Sequence, residues 1–409
     1  MPVRSDERAR GPWPLLAVLT AAYGAGAFGI LGVSPLSPFL LTAFQLTRVE
    51  VGLLLPAVYA SGLLFSLPAG RMADRLGVRA CLLGGLALAG AMLVLAASAS
   101  SFPALLGCLM GAGIGWSIVN PALGKAIIDL FPTSQRGVAM GIKQMGLTLG
   151  GVASALALPP LGAALGWRAA MVVGAAVVTA PVALAWRALA GRGAGPAELP
   201  GGRGPSAESA WWWARRPALL VFFGAGLGLG MAQSALLGFL PLFATQRLGV
   251  SAVGAGALLA AAQAGGALAR VGLGMASDRW FGGRRTPWLV VTAALAAASF
   301  GIFARMAPGS AALAAAVSFW AGVGSFGWVG LFLVIAAEVG GRAQAGLLTG
   351  VAMASILGGI LVGAPLFGAL LDGTDSYSVA WAAFALLSVA AAAALAAGGR
   401  AIAGERREA

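Results

Sequence analysis

Gly70-Arg71-Met72-Ala73-Asp74-Arg75-Leu76-Gly77-Val78-Arg79 returns, slightly altered, as Gly274-Met275-Ala276-Ser277-Asp278-Arg279-Trp280-Phe281-Gly282-Gly283-Arg284. The two copies begin 204 residues apart in a chain of 409. A second register supports the duplication. Arg136-Gly137-Val138-Ala139-Met140-Gly141 resembles Ala345-Gly346-Leu347-Leu348-Thr349-Gly350, and Gly150 falls over Gly359 at the same offset of 209. A repeat of half the chain length predicts two similar halves.

Composition says what solvent those halves face. Charged residues make up 10% of the chain, hydrophobic residues 59%, and mean hydropathy is +0.91. A water-soluble surface takes about 25% charged residues, so this chain is not a soluble globule. Uncharged runs long enough to cross a bilayer fall at 11–47, 51–70, 80–124, 144–167, 169–186, 217–246, 248–269, 286–304, 306–337, 343–371 and 376–399. A spanning helix takes roughly 20 apolar residues, so the 80–124 run must hold two, broken near Ser98-Ala99-Ser100-Ser101-Phe102-Pro103. Twelve helices follow. Strand alternation is absent, which argues against a β-barrel. The predicted fold is an all-α membrane protein with 12 transmembrane helices in two pseudo-symmetric six-helix bundles.

Glycine and proline crowd the stretch from Gly191 to Pro205, a density that no helix tolerates. We therefore divide the chain into an N-terminal bundle (1–190), a linker (191–216) and a C-terminal bundle (217–409). Trp211, Trp212 and Trp213, followed by Arg215 and Arg216, read as an interfacial anchor ahead of helix 7. Of the 26 Lys and Arg residues, 19 fall in the termini and even-numbered loops, among them Arg4, Arg71, Arg136, Arg216, Arg342 and Arg406. Only Arg48, Arg168, Arg247 and Arg305 lie in the odd-numbered loops. That asymmetry predicts cytoplasmic termini in an inner, or cell, membrane. The net charge of +13 is then a topology signal and a contact for anionic lipid, with no nucleic-acid partner implied. The two cysteines, Cys81 and Cys108, fall in predicted helices and read as packing residues. No metal spacing, nucleotide loop or nucleophile–base set appears, so neither a cofactor nor an enzymatic activity is expected.

With these residues in view the chain resembles the major facilitator superfamily of secondary transporters, over essentially its whole length. The Gly-x-x-x-Asp-Arg-x-Gly-x-Arg loop of that family stands here at Gly70, Asp74, Arg75, Gly77 and Arg79. Its degenerate second copy stands at Gly274, Asp278, Arg279 and Arg284. The resemblance implies a latch: the Asp74 carboxylate would meet the amino end of helix 11 and neighbouring arginines. Asp129 and Glu338, at equivalent ends of helices 4 and 10, are expected to join that network, Asp129 with Arg75 or Arg136 and Glu338 with Arg279 or Arg342.

Three cations fall within predicted helices: Lys125, Lys143 and Arg270. An ionisable group at bilayer depth costs ~2.5–3.5 kcal/mol or more and tends to face a cavity. Lys143 lies seven residues past Arg136, and Arg270 eight before Asp278. At helical rise each is about 10–12 Å from the cytoplasmic loops. The resemblance implies that helices 5 and 8 face each other, where Lys143 and Arg270 would take an anion. The helix 8 arginine is similar to that of oxalate, monocarboxylate and nitrate porters, although Val51–Gly70 carries no arginine of the nitrate kind. Lys125, four residues from Asp129, also reads as its helical partner. Tyr23, Trp116, Asn120, Gln144, Gln233, Gln263 and Trp320 are the remaining candidate substrate contacts.

These readings converge on a monomeric carrier that moves a small organic anion by alternating access, with proton or counter-anion coupling left open. The rival reading is proton-coupled drug efflux. Against it, Gly146-Leu147-Thr148-Leu149-Gly150-Gly151 lacks the proline of the drug-antiporter helix 5 motif, and no Asp or Glu falls mid-span.

Overall fold

The computed structural model describes residues 12–188, 212–280, 285–309 and 311–408. Most of the linker, Arg284 and the side-chain surroundings of Asp74, Gly274, Asp278, Arg279 and Arg342 lie outside the described residues. Among the described residues twelve helices are long and apolar enough to cross a membrane. They are α1 (Trp13–Leu31), α2 (Arg48–Phe65), α3 (Arg75–Ala97), α4 (Phe102–Leu130), α5 (Val138–Leu165) and α6 (Trp167–Trp186). The second set is α7 (Pro217–Gln246), α8 (Ala252–Arg270), α9 (Thr286–Arg305), α10 (Ala311–Gly341), α11 (Gln344–Thr374) and α12 (Tyr377–Gly398).

The uncharged runs locate these spans because charge is what a bilayer excludes. The long first run holds α1 and a short helix, Ser37–Phe44, before α2 begins. The 80–124 run breaks where expected: α3 ends at Ala97, Ser101 is extended, and Pro103 sits in the first turn of α4. Two connections are tighter than the sequence suggests. Gly77 (φ 80°, ψ 165°) and Gly341 (φ 56°, ψ −165°) each turn one helix directly into the next. Positive φ is open to glycine and strained for other residues, so each of these turns is made by a single residue.

The chain separates into two compact units: Met1–Phe39 with Ala57–Leu199, and Leu40–Pro56 with Pro200–Ala409. Residues 40–56, which the sequence reading puts in the first bundle, group with the second unit. The first turns of α2 therefore belong to one unit and the rest of the helix to the other.

Within each unit the helices approach through glycine. Lipid tails are as apolar as leucine, so helices associate by close packing rather than by escape from water. A Cβ built on Gly146 would lie 2.5 Å from the Thr20 carbonyl oxygen, and one on Gly150 would collide with the Gly24 carbonyl, so α5 rides on α1 backbone to backbone. In the second unit Gly359 and Gly363 do the same against Leu227 and Met231 of α7. Gly113 and Gly115 of α4 seat against Val58 and Gly85, and Gly322 and Gly324 of α10 against Ala262 and Thr292. The latter pairs again differ by 209, so the sequence repeat is also a repeat of packing contacts.

Gly322→Leu should destabilise the protein by ~1–3 kcal/mol through overpacking against α8. Gly301→Ala, where nothing lies within 4 Å of the added methyl, should be near neutral. Thermal unfolding in detergent compares the two; equal stability would remove the argument for glycine-mediated approach.

Candidate functional site

The only two lysines have separate fates. Lys143, on α5, is 5% exposed, and its Nζ donates to Asn120 Oδ1 at 2.7 Å. The same oxygen accepts from Tyr23 Oη at 3.5 Å, and Nζ lies 4.9 Å from the centroid of the Tyr23 ring. Tyr23 in turn stacks on Trp116, centroids 4.6 Å apart and planes 13° from parallel. Trp116 and Asn120 are four residues apart on α4, hence on one face. Gly26 makes room for the indole: a Cβ there would lie 2.8 Å from Trp116 Cε3. The α1–α5 glycine contact sets the distance between Tyr23 and Lys143.

This cluster is half satisfied. An amide oxygen and an aromatic face both stabilise an ammonium, but neither carries a negative charge. Among the described residues no carboxylate pairs with Lys143. The cluster is also absent from the second unit. At the offset of 209 set by the glycines, Trp116, Asn120 and Lys143 fall over Ser325, Val329 and Ala352. The scaffold is duplicated; the chemistry is not.

In the second unit Arg270, at the end of α8, donates from Nε to the Phe326 carbonyl at 3.0 Å. That carbonyl closes the segment Ala311–Phe326, because α10 is interrupted at Gly327 and Trp328 before resuming at Val329. A broken helix in a bilayer must have its freed backbone groups satisfied by protein, and Arg270 does so. Gln233 on α7 and Gln263 on α8 are 8% and 6% exposed, and Gln233 Oε1 and Gln263 Nε2 find no hydrogen-bond partner among the described residues. Each stranded polar atom costs about 1–3 kcal/mol. Gln144 is exposed and takes no part in the Lys143 cluster. Trp320 is 51% exposed on α10, with its ring against Phe319.

At the Gly70–Arg79 loop, Lys125 donates to the Ala73 carbonyl at 3.4 Å. Arg79 lies over the Trp186 ring at 3.9 Å, and Arg75 is exposed. Arg136 donates to the carbonyls of Phe131 (3.0 Å) and Ile128 (2.9 Å), capping the end of α4 beside the exposed Asp129. A cation suits that end of a helix dipole. Glu338 pairs with Arg285, a partner the sequence reading did not name. The reading also missed a polar group at the opposite end of α2, made by Arg48, Asp372 and Asp375. A capping-box pattern, Thr47-x-x-Glu50, was the legible signal there.

Twelve spans in two repeated units are an architecture that many secondary transporters share. A family model for the Major Facilitator Superfamily matches residues 16–364, and the chain belongs to that family. It is a transporter, an integral multi-pass membrane protein that takes small-molecule substrates, and not an enzyme. An uncharacterized MFS-type transporter of Mycobacterium tuberculosis is 29% identical over 383 residues, covering 93% of this chain and 83% of the relative. The 3-(3-hydroxy-phenyl)propionate transporter of Escherichia coli is 29% identical over 150 residues, 35% of this chain and 36% of that one. Two solved structures share the fold. A bacterial homolog of the human lysosomal transporter Spinster, inward-facing and occupied, superposes with a TM-score of 0.76 at 20% identity over 96% of this chain and 98% of its own. A mutant form of the nucleoside transporter NupG does so with a TM-score of 0.79 at 13% identity over 94% and 99%.

Arg270→Ala should lower stability by ~1–3 kcal/mol by stranding the Phe326 carbonyl. Thermal unfolding without added solutes reads this directly, and an unchanged melting temperature would show that the carbonyl does not depend on Arg270.

Proposed function

We propose that this transporter moves a small organic anion, carboxylate-like, by alternating access, with Lys143 as the charge that recognises it. The observation that carries the reading is the buried Lys143 ammonium held by two uncharged partners. A charge at that depth is costly without a counter-charge, and an incoming carboxylate supplies one. Tyr23, Trp116 and Asn120 shape the contact. Arg270, in the second unit, is a further positive group, with Nη donors that suit an oxyanion. The relative whose name specifies an aromatic propionate adds support, since that solute is itself a carboxylate. The basic loops favour an inner-membrane protein with cytoplasmic termini.

Cationic drug efflux fits less well. Among the described residues every Asp and Glu lies at a helix end, so a cation entering mid-span would meet the Lys143 ammonium with no carboxylate beside it.

A thermal-shift screen of purified protein against small anions, cations and neutral drugs tests the class. A ligand that binds the native state raises the melting temperature. Small carboxylates should do so, and in proteoliposomes Lys143→Met should cut uptake of the best of them at least about tenfold while the variant melts as the parent does. Stabilisation by cations alone, or full uptake by Lys143→Met, would overturn the reading.

A further inference from the structure

Arg79 lies one turn inside α3, and its guanidinium sits over the Trp186 ring of α6 at 3.9 Å. Among the described residues no carboxylate pairs with it, and its Nε is buried without a hydrogen-bond acceptor. The two Nη groups likewise meet no acceptor among those residues, but they are not buried. An aromatic face stabilises an exposed guanidinium by only ~0.5–1 kcal/mol. It leaves the fork of N–H donors unfilled, and that fork matches phosphate oxygens two at a time.

The surroundings say where such a phosphate comes from. Trp186 is the last residue of the α6 span and is 57% exposed. A tryptophan at the end of a span sits at the headgroup level of a bilayer. Toward the bilayer interior both helices turn small exposed residues outward: Ala80, Gly84 and Ala87 on α3, Ala183 and Ala176 on α6. Residues so spaced share one face of a helix. The helices themselves touch, since a Cβ on Gly90 would collide with Thr179 Cγ2. The small residues therefore flank the α3–α6 seam and leave a shallow apolar track beside it.

The second unit lacks this arrangement. At the offset of 209 Trp186 falls over Leu395, which is fully buried, and Arg285, just ahead of α9, pairs with Glu338. The stacked arginine is thus no requirement of the repeated scaffold.

We propose that Arg79 and Trp186 form a binding site for the phosphate of an anionic phospholipid, with an acyl chain lying along the α3–α6 track. Net negative charge is the selective feature. A zwitterionic headgroup would bring its own cation beside Arg79 and would find the Trp186 face already taken by the guanidinium. The site stands apart from Lys143 and is independent of the substrate's charge.

The test titrates the full chain, purified in detergent, with dioleoylphosphatidylglycerol or dioleoylphosphatidylcholine and counts the lipid-bound species by native mass spectrometry. The parent should bind its first phosphatidylglycerol at least about tenfold more tightly than phosphatidylcholine, the scale of one charge-assisted bond to phosphate. Arg79→Gln should bring the two lipids to near-equal affinity. Trp186→Leu, which keeps the apolar surface, should lower the ratio about threefold, the scale of an exposed cation–π contact. Arg215→Gln removes an exposed charge at the start of α7 and should keep the parent ratio. Equal affinities in the parent, or a ratio that Arg79→Gln and Trp186→Leu both leave unchanged, would overturn the proposal. An equal fall in Arg215→Gln would do so too, by showing a diffuse charge effect. Displacement of phosphatidylglycerol by millimolar inorganic phosphate would replace the lipid with a free oxyanion. Should Arg79→Gln fail to fold, the Trp186→Leu ratio decides.

Discussion

A bilayer gives a helix bundle neither water to satisfy its polar groups nor hydrophobic drive to hold its helices together, and the rest of this structure follows from that. Helices come close only where a side chain is missing, which is why the packing repeats as glycine: Gly113 and Gly115 on α4, Gly322 and Gly324 on α10. The same solvent makes every intramembrane polar group conspicuous. Arg270 answers the broken backbone of α10, while Lys143 meets no opposite charge among the described residues.

Comparison of the two units separates scaffold from chemistry. An internal repeat preserves whatever the fold requires in both copies, and the close glycine contacts are preserved at one offset. Trp116, Asn120 and Lys143 have Ser325, Val329 and Ala352 in their places, so the cluster is not a demand of the fold. It stands once, in one unit, on the helix pair α4 and α5 with Tyr23 of α1. That asymmetry gives the Lys143 group its functional interest independently of any relative.

The spans were legible because charge exclusion is a one-dimensional property, readable along the chain without knowing any contact. The helical turns at Gly77 and Gly341 were half legible: glycine was visible, its positive φ was not. Contacts set by helix rotation were not legible at all. Nothing in the order of residues says that Lys125 meets the Ala73 carbonyl while Lys143 meets Asn120, or that Trp320 points outward. Partners hundreds of residues apart, such as Arg48 and Asp372, are likewise fixed by packing alone. The grouping of 40–56 with the second unit follows from those contacts and has no signature in composition.

The central claim is that Lys143 recruits a negative charge, and matched ligands isolate that charge from size and shape. Tryptophan fluorescence titrations should compare small carboxylates, from acetate to 3-phenylpropionate, with their uncharged primary amides on the parent protein and on Lys143→Met. The account predicts that a carboxylate binds the parent at least about tenfold more tightly than its amide, equivalent to ~1.4 kcal/mol, and that Lys143→Met erases the difference. Equal binding of acid and amide to the parent, or a preference that survives loss of the ammonium, would contradict it.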